Sequence, residues 1–214
     1  MPNYRRAFVP GGCWFFTVNL LERRKTLLVD HIDALRAAFE KTRRRYPFVI
    51  DAVVVLPDHI HAVWTLPPGD ADFSLRWRLI KSRFAQALPK QERISDVRRA
   101  RDERGIWQRR FWEHLIRDEA DYARHIEYCY INPVKHAWAP RVRDWPHSSF
   151  HRDVRAGIFP EDWGRRRSCG WRVRREMRMR LRMEFGAATT KMADYADANR
   201  ALHAELVGRI VIRH

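Results

Sequence analysis

The chain has 214 residues, of which 45% are hydrophobic and 12% aromatic, and it carries a formal net charge of +16 with a pI near 10.7. These values fit one ordinary domain with additions or two small ones, and the charge favours a polyanionic partner, with nucleic acid first and an anionic membrane surface second. No apolar run approaches the roughly 20 residues that cross a bilayer, no signal-peptide core is present, and three widely spaced cysteines fit neither a disulfide framework nor a zinc site, so we expect a reduced cytoplasmic protein.

Hydrophobic periodicity and turn residues divide the chain into strands and helices. In chain order they predict a strand over 13–20, a helix over 30–45, a strand over 48–56, a strand from His59, a helix over 72–87, a strand over 110–116 and a helix over 119–132. Asp30 and Asp72 are the expected N-caps of the first two helices, and Pro133 is the expected end of the last. Pro57 and Asp58 leave room only for a tight turn between the second and third strands.

This order, β-α-β-β-α-β followed by a helix, is typical of an α+β, ferredoxin-like fold. The first and third strands form the central pair of that sheet, so we expect His59 and His61 in mid-sheet on a face open to a ligand. Residues 89–106 are highly charged and predict a mobile loop or a loose helix. Residues 134–164 are rich in Trp and Pro and are expected to lie irregularly over the domain.

A histidine pair interrupts the third strand. Side chains alternate along a strand, so His59 and His61 point to one side while Ile60 points into a core. Two imidazoles on a rigid strand form half of a metal site. The alternative is that the strand carries two exposed histidines without a metal. Asp58 either orients one imidazole or belongs only to the turn.

The last predicted helix places a tyrosine and an amide on one face. Tyr128 and Asn132 are four residues apart, so they lie one turn apart on the same side. A nucleophile and a metal-capable oxygen there could meet the histidine pair, or the two could simply be polar residues on a half-exposed helix. Tyr130 points nearly the opposite way; we expect it to pack, and it is the second candidate nucleophile. The stripe expected to pack on the core consists of Tyr122, Ile126, Cys129 and Pro133.

Other polar and aromatic residues have weaker assignments. We expect His114, His125 and His151 to make hydrogen bonds rather than bind metal, and Trp77 and Trp112 to lie in the core rather than to serve as base-stacking platforms. The basic residues expected to contact DNA phosphates are Arg5, Arg6, Arg76, Arg78, Lys81, Arg83, Arg109 and Arg110. Residues 165–214 hold 13 basic and 5 acidic residues and are expected to form an arginine-rich extension of a domain over 1–164.

Several ordered strings extend these patterns well beyond a bare histidine pair. They are YRR (4–6), WFFTVNL (14–20), VVLPDHIH (54–61), WTLP (64–67), RFWEH (110–114), YCYINPVKH (128–136) and DWPHSSFHRD (144–153). Together with the glycine pair at 11–12 they make the chain resemble the REP-associated tyrosine transposases. These are a bacterial branch of the HUH single-strand endonucleases, related to the IS200/IS605 transposases. The resemblance covers nearly all of residues 1–164.

The resemblance implies a set of roles and a substrate. His59, His61 and Asn132 would be metal ligands for Mg²⁺ or Mn²⁺, and Tyr128 would be the catalytic nucleophile. The substrate would be single-stranded REP or BIME DNA folded into a hairpin, cleaved and rejoined through a 5′-phosphotyrosine. The general base stays open, with Asp58 and Glu113 as candidates. The resemblance favours a monomer, with a dimer as the alternative because the related insertion-sequence transposases work as dimers that share active sites. We expect a cytoplasmic protein associated with the nucleoid.

Three other functions remain open from the sequence. A non-catalytic nucleic-acid-binding module would stack bases on exposed strand aromatics such as Trp14 and Phe16 and would not need Tyr128. A hydrolytic nuclease would use water as nucleophile and would leave Tyr128 a structural role. A regulatory protein derived from a disabled transposase is disfavoured because the site residues are intact.

Overall fold

A four-stranded antiparallel sheet forms the centre of the computed structural model, which describes residues 8–90, 94, 96–100 and 104–164. The strands are β1 (Cys13–Asn19), β2 (Val49–Val55), β3 (His59–Thr65) and β4 (Trp112–Leu115). Their spatial order is β2-β3-β1-β4, and every neighbouring pair is antiparallel. This arrangement confirms the ferredoxin-like α+β prediction, including β1 and β3 as the central strands.

Helices cover both faces of the sheet. They are α1 (Leu27–Asp30), α2 (Ile32–Arg45), α3 (Phe73–Ala87), α4 (Asp96–Arg99), α5 (Glu119–Lys135) and α6 (Phe150–Arg155), with a 3₁₀ turn at Val142–Asp144. The predicted cap of α3 is confirmed, because the Asp72 carboxylate accepts a hydrogen bond from the Leu75 backbone N–H at 2.8 Å. No helix within the described ranges is long and apolar enough to cross a membrane.

Strand alternation produces two separate cores. On one face, Trp64 of β3 stacks on Trp77 of α3 with ring centroids 4.2 Å apart, and Ile60 is fully buried there. On the other face, Phe15 of β1 packs beneath α5, which contributes the predicted stripe including Ile126. Trp14 and Phe16 are buried in the first core, so they cannot serve as the base-stacking surface of an RNA-recognition sheet.

Two predicted helix ends are wrong. Asp30 does not cap a helix, because residues 27–30 form a short helix of their own in which Thr26 Oγ1 donates to the Asp30 carboxylate at 2.6 Å. Pro133 does not end α5. It removes one hydrogen bond from the ladder, but the His136 N–H still donates to the Asn132 carbonyl at 3.0 Å.

The segments expected to be irregular are partly ordered. Between 89 and 106, the described residues include α4 and the buried side chain of Ile106. After α5, the chain returns to the edge of β2, where the Trp145 indole N–H donates to the Val55 carbonyl at 3.0 Å. Arg5, Arg6 and the predicted extension over 165–214 lie outside the described residues.

Candidate catalytic site between the sheet and helix α5

The two histidines of β3 meet on the sheet face that α5 covers. The ring centroids of His59 and His61 are 4.7 Å apart, and both side chains are buried. Their cross-strand partners on β1 are Asn19 and Thr17. The prediction that His59 and His61 point to the same face of the sheet is therefore confirmed. That face is covered by α5, whereas the sequence predicted an open one.

Each imidazole is fixed through its Nδ1 atom. His59 Nδ1 lies 2.6 Å from Asp58 Oδ1, and His61 Nδ1 lies 2.9 Å from Thr17 Oγ1. Asp58 is held in turn by the Arg23 guanidinium at 2.7 Å. Partners on Nδ1 leave the Nε2 atoms for a ligand and set the orientation of both rings.

Burial keeps both histidines neutral at physiological pH. It lowers the pKa of His61 to about 3, and the nearby imidazoles of His59 and His136 act in the same direction. Burial also lowers the pKa of His59, although the Asp58 carboxylate opposes this. A neutral imidazole has a lone pair to offer a metal ion.

Asn132 contributes an oxygen from the helix above. Its side chain is fully buried, and its Nδ2 atom donates to the Tyr128 backbone carbonyl at 2.9 Å. Within the described part of the chain, its Oδ1 atom makes no hydrogen bond of normal geometry, although the side chain lies close enough to His61 to oppose the fall in the pKa of that imidazole. A buried amide oxygen without a partner is costly, which a bound cation would relieve. With His59 and His61 it makes a nitrogen and oxygen donor set that fits a divalent ion.

Tyr128 lies beside these groups and faces the solvent. Its ring centroid is 5.0 Å from that of His61 and 5.7 Å from that of Phe15, both at steep angles, and 37% of the residue is exposed. The Lys135 ammonium lies 5.2 Å from the ring centroid. Lys135 was not among the predicted site residues, although a spacing of seven residues places it on the same helix face as Tyr128.

The prediction of Tyr130 as the second candidate nucleophile is wrong. Its side chain is fully buried on the opposite side of α5. Its hydroxyl donates to the Asp153 carboxylate and contacts Ser149 Oγ at 3.0 Å. The expectation that it packs is confirmed, and no DNA phosphate can reach its oxygen.

The base candidate Glu113 also lies away from Tyr128. It pairs across the sheet with Phe16, whose side chain belongs to the core under α2 and α3. Alternation therefore places Glu113 on the sheet face opposite α5. Asp58 is close to the site, but its carboxylate is already bound by His59 and Arg23.

The basic residues of α3 lie on that opposite face as well. Arg76 is only 1% exposed, and its guanidinium pairs with the Asp70 carboxylate at 2.7 Å and donates to the Pro47 carbonyl. Assigning it to DNA was wrong, because it holds the chain before α3 against the end of α2. Lys81 donates to the Gln108 carbonyl, and Arg83 to Thr42 Oγ1. The exposed members of the predicted set are Arg78, Arg109 and Arg110.

A second group of potential metal ligands lies on the site's own sheet face. Candidate ligand atoms of His114, Asp121 and His125 all lie within 4.8 Å of one another. The Asp121 carboxylate already accepts from the Arg117 backbone N–H and the Arg124 guanidinium, both at 3.1 Å. These contacts agree with the hydrogen-bonding role expected for the two histidines.

Trp112 is exposed, so its assignment to the core was wrong. It is the first residue of the edge strand β4, on the face of Phe15 and His61, and 53% of it is accessible to solvent. Alternation placed it on a predicted sheet face, but the sequence could not show that α5 leaves this corner uncovered.

Comparison with known proteins gives a consistent set of relatives. A REP-associated tyrosine transposase of Escherichia coli (strain K12) is 52% identical over 163 residues, covering 76% of this chain and 91% of that protein. A Haemophilus influenzae protein with the same family designation is 51% identical over 165 residues, covering 77% of this chain and 94% of the relative. A solved structure of a REP-associated tyrosine transposase bound to a REP hairpin superposes with a TM-score of 0.67. It is 49% identical and covers 81% of this chain and 99% of its own. No family model matches the chain.

Proposed function

Since the chain belongs to the REP-associated tyrosine transposases, a family of enzymes that act on DNA, we propose that it cleaves and rejoins single-stranded DNA at REP hairpins. The nucleophile is Tyr128. A divalent ion, Mg²⁺ or Mn²⁺, is held by His59, His61 and Asn132. The hairpin in the related solved structure supports this class of substrate.

One observation carries the assignment of the site. An exposed tyrosine stands 5.0 Å, centroid to centroid, from a buried neutral histidine, one helical turn from a buried amide oxygen that makes no hydrogen bond of normal geometry within the described ranges. The partly exposed tyrosine supplies a nucleophile at the surface, and the buried groups supply a cation site next to it. All these groups come from one chain, so the proposed site needs no residue from a second copy, and the working unit we propose is a monomer.

The reaction is a transesterification. The Tyr128 hydroxyl oxygen forms a bond to a backbone phosphorus, and the bond from that phosphorus to the 3′ oxygen of the preceding nucleotide breaks. The phenol proton leaves, the released 3′ oxygen gains a proton, and a 5′-phosphotyrosine remains. Because one phosphoester replaces another, the step is nearly thermoneutral, and a 3′-hydroxyl can reverse it without ATP.

The protein's own residues prepare this attack. Phe15 and His61 contact the Tyr128 ring at steep angles and restrict its rotation. Lys135 places a positive charge beside that ring, where it is available to the incoming phosphate. When bound, the divalent ion polarises the scissile phosphate and offsets its developing charge.

The proposal is tested with a labelled REP hairpin oligonucleotide on a denaturing gel, in Mn²⁺ or in EDTA. We expect cleavage by the wild type only with metal, and its loss in His61→Ala and Asn132→Ala. His31→Ala is the matched control, since that histidine precedes α2 and makes no cap hydrogen bond through its side chain. Cleavage in EDTA, or full activity in His61→Ala, contradicts the metal assignment. Tight binding without cleavage in any metal would leave a binding protein.

A further inference from the structure

Three aromatic rings form a stacked column at one corner of the candidate site. The Trp112 indole lies parallel to the His114 imidazole, with centroids 5.9 Å apart and planes 6° apart. The His125 ring of α5 continues the stack, 4.7 Å from His114 and inclined by 22°. We call these three residues the ring column. Its inner end is covered by α5, and its outer end is Trp112, which is 53% exposed.

Asp121 fixes the two inner rings. His114 Nε2 lies 2.8 Å from the Asp121 carboxylate, and His125 Nδ1 lies 2.8 Å from the Asp121 backbone carbonyl. Phe15 meets Trp112 edge-on, with centroids 5.6 Å apart, and thereby restrains the outer ring. The exposed indole is therefore held in place by its neighbours. Binding of a flat ligand to it would cost little conformational entropy of the protein.

The exposed end of the ring column lies next to the proposed catalytic groups. Trp112 pairs across the sheet with Thr17, and Thr17 pairs on its other side with His61 and contacts it at 2.9 Å. Adjacent strands are about 4.8 Å apart, so Trp112 and His61 are separated by roughly 10 Å. Phe15 contacts both Trp112 and Tyr128. Single-stranded DNA that enters the site can therefore place a base over Trp112 at a position about one or two nucleotides from the phosphate at Tyr128.

We propose that the exposed face of Trp112 stacks an unpaired base of single-stranded DNA close to the cleavage position, as the fourth ring of the column. This inference rests on the proposed function and names a positioning residue for its substrate. Aromatic platforms beside basic side chains are the usual means of holding single strands. The charge here is suitable, because Arg109 and Arg110 are exposed immediately before β4, and Arg117 and Arg124 are exposed around Asp121.

Binding without catalysis is the first test. The probe is a fluorescein-labelled REP hairpin with a single-stranded flank, titrated by anisotropy in EDTA. We expect Trp112→Ala to weaken binding about 5- to 100-fold, as loss of one base-stacking partner does. Trp112→Phe should retain most of the affinity. Trp138→Ala is the matched control, since that residue is 50% exposed but has no place in the ring column, and it should bind as the wild type does.

An abasic scan then separates stacking from a general loss of fit. Each single-stranded position is replaced in turn by an abasic nucleotide, and each oligonucleotide is titrated with wild type and Trp112→Ala. We expect one position near the cleavage site where the missing base weakens wild-type binding severalfold and Trp112→Ala binding not at all. The inference would be overturned if the abasic substitution weakened binding equally in wild type and Trp112→Ala at every position. Wild-type affinity in Trp112→Ala would overturn it as well.

Failure of this inference and failure of the proposed function are distinguishable. Loss of the Trp112 coupling with normal metal-dependent cleavage would refute only the stacking role. Coupling in EDTA without cleavage in any metal would support the stacking role and refute the catalytic proposal. Thermal unfolding of each variant confirms that the exposed substitutions leave the fold intact.

Discussion

Asp51 makes the stability of this protein depend on pH in a direction that can be worked out. It is the extra residue at an irregularity in β2, between Ile50 and Ala52. Its carboxyl group is buried and accepts hydrogen bonds from Thr65 Oγ1 at 2.8 Å and from the Tyr122 hydroxyl at 3.2 Å. Burial outweighs these contacts and raises the pKa of Asp51 to about 7.

The sign follows from proton binding in the two states. An Asp in the unfolded chain has a pKa near 3.9, so between about pH 4 and pH 7 the folded protein holds a proton that the unfolded chain has released. The free energy of unfolding therefore falls as pH rises through this window. Three pKa units at about 1.4 kcal/mol each give about 4 kcal/mol as the upper limit of what protonation of Asp51 contributes to the free energy of unfolding. It is fully present below pH 4 and lost above pH 7.

The measurement compares urea unfolding of the wild type and Asp51→Asn from pH 4 to pH 8. The amide stays neutral, so we expect the variant to gain stability relative to the wild type across this window, by up to about 4 kcal/mol, with no further gain above pH 7. Asp33→Asn is the matched control, because its carboxylate is exposed on α2, and its difference from the wild type should be nearly constant. A flat difference for Asp51→Asn would refute the reasoning.

Three further predictions concern the buried polar contacts and the site. Arg76→Ala should lower the free energy of unfolding in urea by about 3 kcal/mol, whereas Arg78→Ala, exposed on the same helix, should change it by less than about 0.5 kcal/mol; equal effects would contradict the structural role of the buried arginine. Thr17→Val should weaken Mn²⁺ binding about 10- to 100-fold in calorimetry by removing the Nδ1 partner of His61, and unchanged affinity would show that this contact is dispensable. Tyr130→Phe should cost about 1–3 kcal/mol of stability yet still cleave hairpin DNA, and loss of cleavage in the folded variant would reopen its candidacy.

Much of the site could be predicted because it depends on local periodicity. Alternation along β3 put His59 and His61 on one face, and the helical repeat put Tyr128 and Asn132 together on α5. Both patterns concern residues within one element, so no knowledge of packing was needed. That these two elements meet was implied by the family resemblance, and the structure brings them together.

The wrong predictions concern packing between elements and the exact ends of helices. The helical spacing of Arg76 predicted a place on the basic, exposed face of α3. In the structure it is buried, where it pairs with Asp70 and donates to the Pro47 carbonyl. Trp112 has the large apolar side chain typical of a core residue, and its exposure depends on where α5 ends over the sheet edge. Asp30 and Pro133 were assigned from residue type at helix ends, where local hydrogen bonds decide the boundary.

The central claim is that Tyr128 becomes covalently joined to DNA, and one measurement tests it most directly. The wild type is incubated with REP hairpin DNA and Mn²⁺, digested with trypsin and nuclease, and the nucleotide-bearing peptide is sequenced by mass spectrometry. We predict a 5′-phosphotyrosine at Tyr128, absent in Tyr128→Phe and in EDTA. A cleaved hairpin with no protein-linked nucleotide, or an adduct at any other residue, would contradict the account.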